Sequence, residues 1–470
     1  MVVGDFPIAW GTVVVDAGRG GFVAGILAEQ QGLKVVITVK GILAGECSND
    51  GCILSIARII AAHRFENEMH YDDRGITTEY VIVDFTRVLE WKTGVGKILI
   101  GGAEGHLIGN TVVITRAEVY FADVNILPVT TEVAALTYMF KIAVPATVSI
   151  PIEILGFIYS KRVINSTGAL ILPESPIKLV VIGGAYIDME SGTAFANFVT
   201  EVIVVVAGVE ISAGFEIAMT SVVIRAPQKT GNVTIHIKAT AKGVEGTETV
   251  VKDSFEVTGE IQTVEVDYVE VTVGRRPNIQ EIGLEQVGGK MTDRGLIEFD
   301  EQCGTNVSNI NAIADIFPAP PLAHKATYEG SVALEALSVH ASAIDDIGFP
   351  AVSFTHPELS SVGYSKKQAS EAGLTVTLSK FPFAANGSAL SLYSTYGFLG
   401  LVTHKEDGHL VGALVAGVGA SDINSEIALA IVAGMRAEVI AQTIHDHPTQ
   451  GEIRMEAAVV ALRMPIYIVK

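Results

Sequence analysis

Thr12-Val-Val-Val-Asp-Ala-Gly-Arg-Gly-Gly21 joins a short apolar run to a cluster of glycines, and the residues after it decide the fold. An apolar-periodic segment continues to about Gln31, and Lys34-Val-Val-Ile-Thr-Val39 supplies a second apolar run. Strand, glycine turn, helix and strand within roughly thirty residues make a βαβ unit. Its glycines stand where a dinucleotide fold needs a tight turn and close approach of the backbone to a pyrophosphate. Gly18, Gly20 and Gly21 are therefore candidate cofactor-binding residues. Two positions depart from the fingerprint: Asp16 replaces its first glycine, and Val39 stands where an acid would hold a ribose hydroxyl.

The pattern recurs downstream. Leu179 to Ile182 reads as a strand, Gly183-Gly-Ala-Tyr-Ile-Asp188 as the turn, the residues to about Phe198 as a helix, and Glu201-Val-Ile-Val-Val-Val206 as the next strand. Gly183, Gly184 and Val206 are the matching candidates, with Ala185 and Asp188 in place of the later glycines. Either unit alone could be an α/β turn that binds nothing; their recurrence favours two nucleotide folds. Between them an antiparallel excursion is expected around Thr111–Thr115 and Met139–Val144, and a β-rich stretch covers Asn232 to Val273. After about residue 345 the pattern becomes α+β. A hairpin is expected around Asp407-Gly408, with helices over Asn424–Met435 and Glu452–Leu462.

Composition narrows the class. A chain of 470 residues is long enough for several domains, and 49% hydrophobic against 18% charged residues suits much fully buried parallel sheet. The net charge of -20 opposes a nucleic-acid or anionic-membrane role. Prolines and a glutamate interrupt the apolar stretch from Ile142 to Tyr159, so no membrane span is expected. The first ten residues carry no basic segment before an apolar one, so no signal peptide is expected and a reducing cytoplasm is the default compartment.

Three cysteines cannot form a structural disulfide framework, yet Cys47 and Cys52 lie five apart in Gly45-Glu-Cys-Ser-Asn-Asp-Gly-Cys52. An amphipathic segment follows, which would place both sulfurs at a helix N-terminus, where thiolates are favoured. A disulfide between them needs the irregular turn that Asn49 and Gly51 permit; two unconnected buried thiols are the alternative. Cys303 has no sequence partner and reads as core. Near the C-terminus, in His445-Asp-His-Pro-Thr-Gln-Gly-Glu452, a histidine beside Pro448 with Glu452 to orient it is a candidate general base. Metal binding by His445 and His447 lacks the further ligands a site would need.

Together these features resemble the flavoprotein pyridine-nucleotide disulfide oxidoreductases. The segments Ser166–Leu170, Gly274–Asn278, His324–Gly330 and Lys380–Gly387 extend the resemblance over essentially the whole chain, and point within the family to the enzymes that oxidise dihydrolipoamide. Mercuric and glutathione reductases share the cysteine spacing but match the last segments less well. The resemblance implies an α/β chain with two Rossmann-like dinucleotide-binding domains, a central domain and a C-terminal α+β dimerisation domain. The expected boundaries are an FAD-binding domain over 1–150, an NAD-binding domain over 151–277, a central domain completing the FAD site over 278–345, and a dimer-interface domain over 346–470.

It further implies FAD-dependent oxidation of a protein-bound dihydrolipoyl group to lipoamide with reduction of NAD. The expected partners are a second copy in a homodimer and the lipoyl domain and E2 core subunit of a 2-oxoacid dehydrogenase complex. By resemblance Cys47 exchanges with substrate, Cys52 lies against the flavin, and His447, from the other subunit, is the base held by Glu452. Asp315 and Ala323 match positions at the flavin, and Glu190 an acid beside the nicotinamide. Several cofactor positions differ: Ile56 replaces a flavin-side lysine, Ala146-Thr-Val-Ser-Ile-Pro151 a glycine-containing turn, and Ala314 a glycine. Glu270 also interrupts an otherwise apolar strand, Tyr268 to Val273. A rival reading follows from these substitutions, a cofactor-impaired homologue serving as a non-catalytic assembly subunit.

Overall fold

The computed structural model describes residues 6–70, 75–226, 231–247, 250–280, 282–318, 320–337, 342–345 and 348–469. The chain forms two compact units, the first made of Met1–Ala57, Thr86–Ile152 and Gly274–Ile344. Its sheet runs in the order Val113–Arg116, Val35–Val39, Ile8–Val15, Ala135–Pro145, Ile126–Thr130, Glu118–Val119. The first four strands are parallel, with Thr12 opposite Val35 and Ile142, and the last two are antiparallel. Val13, Val14, Val36 and Ile37 are all fully buried, so neighbouring residues on both faces lie in core. That is why these strands read as continuous apolar runs.

The Arg19–Gln30 helix follows the first strand and packs on the Ala323–Leu337 helix. Glycine permits the contact: a Cβ on Gly20 would lie 2.9 Å from the Ala326 carbonyl oxygen, and one on Gly330 2.8 Å from that of Gly20. The expected antiparallel excursion begins later than the sequence suggested. Val113–Arg116 is a parallel strand, reached from the Phe85–Gly109 helix through a turn with Thr111 at φ 55°. A helical crossover delivers a parallel strand, and the antiparallel pairing falls to Ile126–Thr130 and its neighbours.

The second unit comprises Arg58–Phe85, Glu153–Val273 and Asp345–Lys470. Its parallel sheet has the order Val233–Ile237, Glu201–Val206, Lys178–Ile182, Tyr268–Val271, Val163–Ile164. The β-rich stretch from Asn232 thus divides between two sheets. Its ends join the parallel sheet, while Ala239–Gly246, Val251–Val257 and Glu260–Val266 form an antiparallel meander. Farther on, an antiparallel sheet of five strands is built around the Phe398–His404 and Leu410–Ala416 hairpin. Leu399, Leu401, Ala413 and Val415 are buried there with Ile427, Ile453 and Ala457 from the helices Ala420–Val432 and Glu452–Ala461. The first of these helices starts at Ala420, before the expected Asn424, because Gly419 at φ 68° turns the chain into it. No helix among the described residues is long and apolar enough to cross a membrane.

Candidate active site

Cys47 and Cys52 form a disulfide with Cα atoms 4.6 Å apart. They do not share one helix N-terminus as expected. Cys47 sits in a single helical turn, Gly45–Asn49, and Cys52 opens the long helix Cys52–Met69. The break between them is stabilised by Asn49, whose Nδ2 donates to the carbonyls of Leu43 (2.9 Å) and Gly45 (2.7 Å). Gly45, at φ 65°, fastens this turn to the first glycine loop, since a Cβ there would lie 2.6 Å from the Gly18 Cα. The redox pair is thus seated directly on the loop that a dinucleotide would use.

Around it runs a polar chain that sequence reading did not assemble. Arg275 and Ser149 meet because Arg275–Pro277 pairs antiparallel with Ser149–Pro151. Arg275 donates through Nε to Ser149 Oγ (2.8 Å) and through Nη2 to Glu46 Oε2 (2.5 Å), while Ser149 Oγ donates to Asp315 Oδ2 (2.7 Å). Burial raises the pKa of Glu46 above the ordinary carboxylate range, and Arg275 opposes it. The turn bearing Asp315 is itself held from behind. Glu329 Oε2 accepts the Ala314 N–H (2.9 Å), and its other oxygen pairs with Lys325 at 2.5 Å, both side chains being buried. A buried pair of this kind is destabilising to break, because either partner alone is an uncompensated charge. The four-residue spacing of Lys325 and Glu329 on one helix was the available sequence signal. Ala323, at the start of that helix, is half-buried.

The first loop has the shape for a pyrophosphate. Gly18 caps the Arg19–Gln30 helix without a side-chain acceptor, leaving first-turn N–H groups for an anion. Gly20 and Gly21 have no room for a Cβ. Asp16 is the discordant residue. It adopts φ 78°, its Oδ1 accepts the Ala17 N–H at 2.8 Å, and burial pushes its pKa up to about 6. Val39 is buried and offers no side-chain acceptor.

In the second loop Gly183 has φ 141° and a Cβ there would lie 2.6 Å from Asp188 Oδ2. The Asp188 carboxyl accepts the Ala185 N–H and so occupies one of the donors at this helix start. Burial pushes its pKa up to about 8, against the opposing Thr272 and Ala185 hydrogen bonds. Gly184 packs against Val206, whose side chain a Cβ would strike. Glu190, buried on the same helix, accepts the Phe354 N–H at 2.8 Å. Both loops could hold a dinucleotide, with an aspartate in each reducing the donors or the charge complementarity available to phosphate.

His447 and Glu452 belong to the second unit. His447 Nδ1 lies 2.8 Å from Glu452 Oε1, and the other carboxylate oxygen accepts the Thr449 N–H at 2.9 Å. A carboxylate only accepts, so Nδ1 carries the proton and Nε2 is left as the base. Burial opposes it, yet the Thr449 N–H and the His447 ring hold the Glu452 pKa below the usual range. The His447 side chain is 79% exposed, whereas that of His445 is 7% exposed and tied to Glu426 at 3.1 Å. Among the described residues no cluster of three His, Cys, Asp or Glu side chains could hold a metal.

Residues 11–330 match the pyridine nucleotide-disulphide oxidoreductase family, and residues 349–458 its dimerisation domain. The chain belongs to the pyridine nucleotide-disulphide oxidoreductases. It is 57% identical over 470 residues to a dihydrolipoyl dehydrogenase of Bacillus subtilis and 54% identical over 469 residues to that of Geobacillus stearothermophilus, covering 100% of both chains in each case. Among solved structures it resembles LpdA of Mycobacterium tuberculosis, with a TM-score of 0.89 at 20% identity over 95% of this chain and 99% of that one. The flavoprotein disulfide reductase RclA of Escherichia coli gives a TM-score of 0.84 at 21% identity, over 94% and 98% of the two chains. These likenesses agree with the α/β architecture and the dimerisation domain expected from the sequence. FAD and NAD are the cofactors of this family.

Proposed function

We propose that the chain oxidises the dihydrolipoyl group of a lipoyl domain to lipoamide and reduces NAD, as the flavoprotein component of a 2-oxoacid dehydrogenase complex. The Cys47–Cys52 disulfide, locked onto the Gly18 loop by Gly45, is the observation that carries this reading. Nε2 of His447 takes the proton from a substrate thiol. The resulting thiolate attacks Cys47 Sγ, the Cys47–Cys52 bond breaks, and Cys52 leaves as a thiolate. Once the imidazolium has released that proton to solvent, the same imidazole deprotonates the second substrate sulfur, which attacks the sulfur bonded to Cys47, releasing lipoamide and leaving both cysteines reduced. Bound FAD would carry the two electrons from this pair to NAD. Glu452 keeps the imidazole in the tautomer that accepts a proton and stabilises its charged form.

In this reading Gly18, Gly20, Gly21, Val39, Asp315 and Ala323 line the FAD site, and Gly183, Gly184, Glu190 and Val206 the NAD site, with Glu190 beside the nicotinamide. The four-part division at residues 150, 277 and 345, a homodimer with His447 serving the other subunit's disulfide, binding to the E2 core, and a cytoplasmic location complete it. The aspartates in the two loops favour a second reading, a cofactor-impaired assembly subunit. Purification separates them: a protein that retains flavin and turns over dihydrolipoamide with NAD supports the enzyme. In Cys47→Ser that turnover should vanish while NADH oxidation by an artificial flavin acceptor persists. A flavin-free protein with neither activity would leave the assembly role.

A further inference from the structure

The turn that carries Cys47, Gly45–Asn49, bonds mainly to itself. The Asp50 N–H donates back to the Glu46 carbonyl at 2.8 Å, and Asn49 donates back to Leu43 and Gly45. Packing seats the turn on two sides: Gly45 lies against Gly18, and Gly96 of the Phe85–Gly109 helix leaves no room for a Cβ beneath the Ser48 carbonyl. Among the described residues, one polar side-chain contact joins residues 45–51 to a different segment of the chain. It is the half-buried ion pair of Glu46 with Arg275, 2.5 Å long.

Glu46 is the residue before Cys47, and the far end of the pair is firmly held. Arg275 Nη2 also donates to the Ser149 carbonyl at 2.6 Å, its Nε donates to Ser149 Oγ, and Ser149 Oγ donates to Asp315. All of these residues lie in the first compact unit. While the Cys47–Cys52 bond is closed, a short covalent ring holds the turn. Reduction opens that ring and returns conformational freedom to the residues between the sulfurs. From then on Cys47 is kept in place by non-covalent contacts alone. The Glu46–Arg275 pair survives the change, because neither side chain takes part in it.

We propose that Arg275 is a positioning residue for the disulfide exchange: through Glu46 it holds the Cys47 turn against the Ser149–Asp315 side of the site while the Cys47–Cys52 bond is open. The functional part rests on the reading that this bond opens and closes in turnover. Such a tether has a signature that a merely stabilising ion pair lacks. It is redundant while the disulfide is closed and needed once it is open. Its loss frees the two thiols to separate, so the dithiol gains entropy and forms more readily.

The test uses the holoenzyme, with the disulfide opened by dithiothreitol so that it does not depend on the dihydrolipoyl substrate. Hydrogen exchange is followed by mass spectrometry in the peptide bearing the Asp50 amide. In the unaltered protein, exchange there should change little on reduction. In Glu46→Gln it should be unchanged while the disulfide is closed and about tenfold faster once it is open, a factor within reach of one hydrogen bond to a charged group. The equilibrium with dithiothreitol should move toward the dithiol by a similar factor, about 30 mV for tenfold. Should Arg275→Met fail to fold with Glu46 left unpaired, the double variant Glu46→Gln/Arg275→Met removes both partners and should match Glu46→Gln alone. Faster exchange in both redox states, no change in either, or equal loosening of the unaltered protein on reduction overturns the proposal. If the variants respond as expected but dihydrolipoamide leaves the disulfide closed, the tether stands and the substrate reading falls.

Discussion

Asp16 and His447 have opposite relations to water, and each determines a measurable property. Asp16 is half-buried at φ 78°, and desolvation pushes its pKa up to about 6, so it gains charge as the pH passes from 5 to 8. A carboxylate beside a bound pyrophosphate is repelled, hence flavin should be held less tightly as the pH rises through about 6. In Asp16→Gly that dependence should disappear and retention at pH 8 should increase, as read from the flavin absorbance left after gel filtration at each pH. His447, by contrast, is exposed and works through a proton. A positioned base is worth roughly a hundred- to ten-thousand-fold, and a loss of that size is expected in dihydrolipoamide turnover for His447→Gln. Glu452→Gln should cost less, because it removes only the orienting partner, and His445→Gln should be mild, because His445 is engaged with Glu426. A His445 variant as slow as the His447 variant would assign the base to the wrong ring.

The Val251–Val257 strand carries an inconsistency of its own. Asp253 points from it into the core between Val251 and Phe255, fully buried, with neither carboxyl oxygen hydrogen-bonded in the structure. Burial pushes its pKa from 3.8 up to about 7. The folded state therefore holds a proton that the unfolded state releases, and unfolding is favoured as that proton is lost. Stability from this residue is present in full below pH 3.8 and declines as the pH rises toward about 7. Asp253→Leu should stabilise the protein by roughly 1–3 kcal/mol at neutral pH, with a smaller gain at pH 5 than at pH 8 in thermal melts. The meander itself was legible as β structure, because its alternation is local. Which of its neighbours joined the parallel sheet was not, since strand pairing joins residues such as Val202 and Val233 that no short window contains.

At the scale of the whole molecule, the disulfide and the imidazole stand in different compact units, and residues 349–458 match a dimerisation domain. That domain exposes large apolar side chains, among them Leu429 at 64% and Val432 at 64%. Sedimentation should find a dimer. If His447 serves the other subunit's disulfide, Cys47→Ser and Cys47-intact His447→Gln chains, each inactive alone, should regain activity when unfolded and refolded together. Random pairing makes half the dimers hybrid, each with one complete site, so about a quarter of the native turnover is expected. No recovery, with hybrid dimers demonstrated by mass, would place the base and the disulfide within one chain.

By itself the sequence determined the two βαβ units, the paired cysteines, the hairpin at Asp407-Gly408, and the histidine with its glutamate five residues on. All of these rest on turn chemistry and periodicity within one or two elements, which a linear reading can see. Only the tertiary structure decided what the discordant residues do. Asp188 proved to cap its own helix start, Arg275 and Ser149 to join Glu46 to Asp315, and Glu270 to reach Arg58 through Ser191. A buried polar group must find a partner wherever the fold brings one, and here the partners lie 79 and 133 residues apart. No local pattern encodes such a distance; it is set when the fold brings Arg58, Ser191 and Glu270 together.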